Sequence, residues 1–293
     1  MSLPRIAITK GDPAGIGPEI AKKAAADPRV MAACQPLVYG QDEAFAPGVL
    51  SAAAGQAAYE TIARAVDDAQ AGRIQAVATA PINKEALALA GLPWRGHTDM
   101  LAGLTRATDV AMMFWSEKLR VVLATVHIPL SEVPAALTLE SILKTIRLTA
   151  RELPRFGYAR PRLALAGLNP HAGEHGLIGG EDRAVLAPAV EQSRQAGIDI
   201  SGPFPGDTVF VRAVGGEFDA VIACYHDQGL IPIKMVAFGQ AVNVTLGLPI
   251  VRTSVDHGTA FDIAGKGIAN PESMVQAVLL AARLAAERAR SQF

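Results

Sequence analysis

Three histidines stand at positions where an α/β protein keeps its chemistry. The chain has six histidines. His127 follows the apolar run Val121-Val-Leu-Ala-Thr-Val126. His171 comes just after Leu163-Ala-Leu-Ala-Gly-Leu168, and His226 just after the run from Phe218 to Cys224. A buried parallel strand reads as a near-continuous apolar run, and open α/β sheets bind ligands beyond the carboxyl ends of such strands. A lone histidine there is usually a hydrogen-bonded structural residue; recurrence at three strand ends points further. Imidazole is the commonest metal-ligating side chain, and three protein ligands with an open position describe a catalytic metal site. His127, His171 and His226 are therefore the candidate metal ligands. Asp227 adjoins His226 and Lys234 lies eight residues beyond it. Both are titratable groups at the same strand end, placed where this architecture keeps its chemistry.

The elements that must position these groups alternate in type. Residues 6–9, 37–40, 77–80, 121–126, 163–168, 218–224 and 242–246 read as strands, with a further apolar piece at 250–252. Residues 110–115 form another, joined to 121–126 by a short polar turn that suits an antiparallel hairpin. Helical spacing appears at 51–72, 139–153, 181–196 and 271–289, with a further helix expected from Thr98. Residues 202–208, with two glycines and two prolines, read as an irregular loop. Alternation of this kind implies an α/β fold with mainly parallel sheets. We expect two domains, 1–95 with 245–293 and 96–244, and an interdomain cleft faced by the histidine-bearing turns.

Composition narrows the classes of function. Half of the 293 residues are hydrophobic and 19% are charged, enough to build a large core. A net charge of −1 offers no electrostatic footprint for nucleic acid or an anionic membrane. The two cysteines, Cys34 and Cys224, make no disulfide framework, so a reducing compartment is the expectation. The chain runs directly into Arg5-Ile-Ala-Ile-Thr9 and holds no apolar segment of ~18–20 residues. A soluble, cytoplasmic protein is expected.

Further motifs flank the predicted strands. Gly11-Asp-Pro-Ala-Gly-Ile-Gly-Pro-Glu19 follows the first one and suits a tight turn into a helix. It is not the Gly-x-Gly-x-x-Gly dinucleotide fingerprint. Asn83 and Lys84 follow another strand, and His97-Thr98 opens a predicted helix, where free backbone N–H groups suit an anion as well as a simple cap. Residues 254–271 are glycine-rich, polar and too long for a plain turn, which marks a binding loop.

Six segments, taken in order, resemble the 4-hydroxythreonine-4-phosphate dehydrogenase family of vitamin B6 synthesis. They are 11–19, Gly-His-Thr (96–98), Asn-Pro-His-Ala-Gly-Glu (169–174), Tyr-His-Asp-Gln-Gly (225–229), Asn-Val-Thr-Leu-Gly-Leu-Pro (243–249) and Arg-Thr-Ser-Val-Asp-His-Gly-Thr-Ala (252–260). The resemblance implies a two-domain fold like that of isocitrate and isopropylmalate dehydrogenases, which bind NAD without the missing fingerprint. It implies a divalent metal (zinc, magnesium or cobalt) on His127, His171 and His226. It implies substrate contacts from His97, Thr98, Lys234, Asn243 and Arg252, and a homodimer whose active sites draw on both chains. The loop from His257 is similar to an adenosine-binding loop. There His257 and Gly258 would touch NAD, and the Asp262 carboxylate would accept the ribose hydroxyls and repel a 2′-phosphate. The implied reaction is NAD-dependent oxidation of a phosphorylated hydroxy acid, 4-phosphohydroxy-L-threonine, followed by decarboxylation. Related enzymes act on four-carbon sugar-acid 4-phosphates or on the cis-dihydrodiol of terephthalate. The chain departs from the pattern in two places: it is short between Gly40 and Ser51, and it carries Asp99 where many relatives have glutamate.

Overall fold

The structure is a computed structural model that describes residues 3–41 and 45–290; part of the short segment after Gly40 lies outside the described residues. Ten strands follow in chain order: β1 (Arg5–Thr9), β2 (Gln35–Tyr39), β3 (Ala76–Thr79), β4 (Ala111–Trp115), β5 (Arg120–Leu123), β6 (Leu163–Ala166), β7 (Ile200–Phe204), β8 (Ala220–Ala223), β9 (Val242–Leu246) and β10 (Val251–Ser254). The chain divides into two compact units, residues 1–110 with 239–293, and residues 111–238.

In the first unit the strand order is β2-β1-β3-β10-β9. The first four strands are parallel and β9 runs antiparallel to β10. The period-2 alternation of a strand sends successive side chains to opposite faces, and both faces here are apolar. Ile6 and Ile8 of β1, with Ala76 and Ala78 of β3, join one core, which helices Gly17–Ala25 and Glu272–Arg290 cover with Ile20, Met274 and Val278. Ala7 and Val77 face the other core, filled by Ile62 and Val66 of helix Ala52–Gln70 and by Met100 and Leu101 of helix His97–Thr105. Burial on both faces is why these strands read as unbroken apolar runs. Because Met100 and Leu101 anchor in this core, the first unit continues to Val110 rather than ending at residue 95.

The second unit repeats the plan with the order β4-β5-β8-β6-β7. Strands β5, β8, β6 and β7 are parallel, and β4 forms the expected antiparallel hairpin with β5. Two segments differ from their sequence reading. Residues 200–204, assigned in part to a loop on the strength of Gly202 and Pro203, form β7 at the sheet's margin, where a strand tolerates proline because no donor is needed on its outer side. The helix expected at 181–196 opens with a π-helical turn, Asp182–Leu186, before the α-helix Ala187–Gln195. No helix among the described residues is long and apolar enough to cross a membrane.

Candidate active site

In the first unit, the functional groups gather around a buried cation. Arg252 on β10 is 2% exposed. Its Nε and Nη2 donate to Thr79 Oγ1 at 3.2 and 2.8 Å, and its Nη1 donates to Thr245 Oγ1 at 3.0 Å. No carboxylate among the described residues pairs with it. A buried charge is costly unless paired, and burial pushes Arg252 down to about 9. His97, the first residue of its helix, is half-buried, and its Nε2 is sealed from solvent without a hydrogen-bond partner. Burial, and then the Arg252 charge, lowers the His97 pKa well below the ordinary imidazole value, so the ring is neutral. Its helix starts at Gly96 without a side-chain cap, so His97 and Thr98 are not the cap that a bland reading assigns. Asn243 sits opposite Ser254 across the β9–β10 pair, and its Oδ1 is likewise buried and unpartnered. The structure thus leaves one cation and two polar atoms unsatisfied in the sequence segments singled out for substrate.

Two loops of the first unit are built together. Ile16 N donates to Thr259 O at 3.0 Å, and Gly48 N donates to Ala14 O at 2.7 Å. Gly15 is required where it stands, since a Cβ there would press on Thr259. The segment 11–19 is therefore the floor on which the loop from His257 rests. His257, Gly258 and Asp262 are all exposed. Asp12 beneath them is fully buried; Ala14 N donates to its Oδ1 at 2.9 Å, Oδ2 has no partner, and burial raises its carboxyl.

The three candidate metal histidines lie in the second unit. His226 opens the helix His226–Ala237, so it and Lys234 share one helix rather than a turn and its sequel. The ring centres of His127 and His226 are 5.5 Å apart. His226 Nδ1 is 2.7 Å from Asp227 Oδ1, a carboxylate contact of the kind that orients an imidazole and leaves its other ring nitrogen for a ligand. His127 and Asp227 are exposed; His226 and Lys234 are half-buried.

His171 is not brought to this pair, and no three His, Cys, Asp or Glu side chains gather as a metal site among the described residues. It sits on a turn where five successive residues, from His171 to His175, have left-handed backbone angles, φ running from 43° to 80°. Only one of the five is glycine, and each of the others carries a cost of ~1–2 kcal/mol. Asp182, 2% exposed, holds the root of this turn: Leu168 N, Asn169 N and Asn169 Nδ2 donate to its carboxylate at 2.8–3.1 Å. Gln228 ties the same root to β8, donating to Gly167 O and accepting from Cys224 N, both at 2.7 Å. His171 lines a cavity of about 800 Å³ with Asp207, Tyr225 and Asp227.

Sequence reasoning missed Thr79, Thr245, Asp182 and Gln228, which hold the candidate groups in place. Thr79 had a visible signal: it is the one polar residue of β3. Asp182 had none, because an aspartate at a helix start reads as an ordinary solvated one.

The chain matches the family described as pyridoxal phosphate biosynthetic protein PdxA over residues 12–281. It is 47% identical to a 4-hydroxythreonine-4-phosphate dehydrogenase of Desulforapulum autotrophicum, covering 95% of each chain. It is 42% identical to a D-threonate 4-phosphate dehydrogenase of Salmonella typhimurium, covering 97% of this chain and all of that one. Among solved structures it superposes on a 4-hydroxythreonine-4-phosphate dehydrogenase from Klebsiella pneumoniae with a TM-score of 0.88 and 42% identity, covering 97% and 98% of the two chains. An isocitrate dehydrogenase from Methylococcus capsulatus, 20% identical with a TM-score of 0.53, shares the fold.

Proposed function

The chain belongs to the PdxA family of pyridoxal phosphate biosynthetic proteins, and from that membership we propose that it oxidises 4-phosphohydroxy-L-threonine with NAD. The secondary alcohol becomes a ketone, and the resulting 3-oxo acid loses CO₂ to give 3-amino-2-oxopropyl phosphate. The observation that carries this reading is Arg252, a buried guanidinium with hydroxyls for neighbours and no paired carboxylate among the described residues. A substrate with both a carboxylate and a phosphate supplies the missing charge.

This chain's residues divide the work. Arg252 engages an anionic group of the substrate through the N–H donors its threonines leave free. His97, neutral, offers Nε2 to a substrate oxygen, with Thr98 beside it, and Asn243 Oδ1 accepts from the substrate's ammonium. Lys234 offsets a second negative charge. A Lys234 that carries its charge leaves Asp227, aligned by its bond to His226, to take the hydroxyl proton; only a neutral Lys234 could take it instead. A divalent cation, zinc, magnesium or cobalt, supplies the Lewis acidity that lowers the hydroxyl pKa when bound by histidine. The neighbouring rings of His127 and His226 would supply two of its ligands. His171 would be the third, contributed by the partner chain of a homodimer with shared active sites. NAD supplies the hydride acceptor, held along His257, Gly258 and Asp262, whose open, exposed loop fits an adenosine and whose carboxylate disfavours a 2′-phosphate. The two cysteines, both buried and unbridged, fit a cytoplasmic enzyme.

A second reading has a specific observation behind it, the 42% identity to D-threonate 4-phosphate dehydrogenase. NADH formation with 4-phosphohydroxy-L-threonine, D-threonate 4-phosphate and terephthalate cis-dihydrodiol separates the possibilities. The highest kcat/KM is expected for the first, and its loss on chelation. A higher value for the second moves the chain to that activity, and no NADH from any of the three removes the dehydrogenase reading.

A further inference from the structure

We infer that Thr79 is the positioning residue of the substrate-anion site, setting the plane and preserving the charge of Arg252. The inference rests on the reading of Arg252 as an anion receptor. Thr79 is fully buried at the carboxyl end of β3, beside β10 in parallel register, with Thr79 opposite Ser254. Its Oγ1 accepts from both Nε and Nη2 of Arg252, one whole edge of the guanidinium. Its own proton goes to Ser254 Oγ at 2.9 Å, and Ser254 Oγ donates back to Thr79 O at 3.0 Å. This closed relay fixes the hydroxyl rotor, so its lone pairs face the arginine. Thr245 holds Nη1 from a neighbouring strand.

Three of the five guanidinium N–H groups are thereby spent, leaving one on each Nη. Both clamping groups are neutral. A carboxylate at either position would orient the arginine equally well, but would cancel its charge and compete with the ligand. Hydroxyls orient without neutralising, so the full charge stays available to a carboxylate or phosphate. Thr79 touches no substrate in this scheme; it acts through Arg252.

Thr79→Val, Thr79→Ser and the parent enzyme, each checked for folding by near-UV circular dichroism, give the test. Two readouts are taken: steady-state rates with 4-phosphohydroxy-L-threonine, and calorimetric binding of inorganic phosphate, which does not depend on turnover. For Thr79→Val we expect the substrate KM and the phosphate Kd to rise about 10- to 100-fold, the range for losing hydrogen bonds to a charged group. The KM for NAD should be unchanged and kcat little altered, and Thr79→Ser should restore parental values. Unchanged KM and Kd in a folded Thr79→Val protein overturn the inference, as does a loss that serine does not rescue. If the parent enzyme binds phosphate in this Thr79-dependent way yet oxidises no phosphohydroxythreonine, the inference stands and the proposed activity fails. Should Thr79→Val not fold, Thr245→Val, which removes the Nη1 bond alone, decides: a several-fold rise in Kd supports the clamp and an unchanged Kd overturns it.

Discussion

Arg252 shows how binding and stability pull apart at a single residue. A guanidinium buried without a counter-ion lowers the stability of the ligand-free protein, because desolvation is not offset by an ion pair. Arg252→Met fills similar volume without charge. We expect it to melt above the parent in calorimetry while losing anion binding and activity; a lower Tm would show that the hydroxyl clamp alone stabilises the cation. His97 gives a pH signature. Its folded pKa is depressed by burial and by Arg252, so below the ordinary imidazole value the unfolded chain binds a proton that the folded one does not. Stability therefore rises with pH up to about 6.5 and is then level with respect to this group. Thermal melts between pH 4.5 and 8 should show a shallower acid limb in His97→Asn, and an identical limb would contradict a neutral buried ring. His97 and Arg252 were legible as site residues because their motifs are distinctive. Of the threonines that hold Arg252, Thr79 was marked only as the one polar residue of its strand and Thr245 not at all, because their role depends on neighbours across the sheet.

At the scale of the element, the segment from His171 to His175 matters most. The sequence marked it as a turn, and no local rule indicates five successive left-handed residues, four of them with a Cβ. The conformation persists because Asp182 and Gln228 over-determine its root. Ala172, at φ 52°, gains nothing from its own backbone there. Ala172→Gly should stabilise the protein by up to ~1 kcal/mol. Asp182→Ala leaves the Leu168 and Asn169 backbone N–H groups unanswered, Asn169 Nδ2 still donating to Glu181, and should cost about 3 kcal/mol. Urea unfolding checks both signs, and a neutral Asp182→Ala would mean the turn is held by something else. Strand β7 was misjudged for a related reason: glycine and proline are breakers in a central strand and acceptable at a margin, and position in a sheet is a tertiary fact.

For the whole molecule, alternation of apolar runs and amphipathic segments was enough to predict a mainly parallel α/β chain. Where one unit ends and the next begins was less legible, since helix His97–Thr105 declares its allegiance only through Met100 and Leu101. Assembly is the larger question. Met235 and Phe238, both 81% exposed, sit in and just beyond the helix that begins with His226. Exposed apolar side chains of this size are what the proposed homodimer would cover. Phe238→Asp should shift sedimentation toward monomer and reduce activity together; full activity as a monomer would rule out shared active sites.

The most direct measurement is a joint one on the purified enzyme with NAD, a divalent cation and 4-phosphohydroxy-L-threonine: NADH from its absorbance and released CO₂ in the same reaction. We predict equal molar amounts, both abolished by chelator and both restored on returning the metal. NADH without CO₂ would contradict the decarboxylation, and the absence of NADH would contradict the account as a whole.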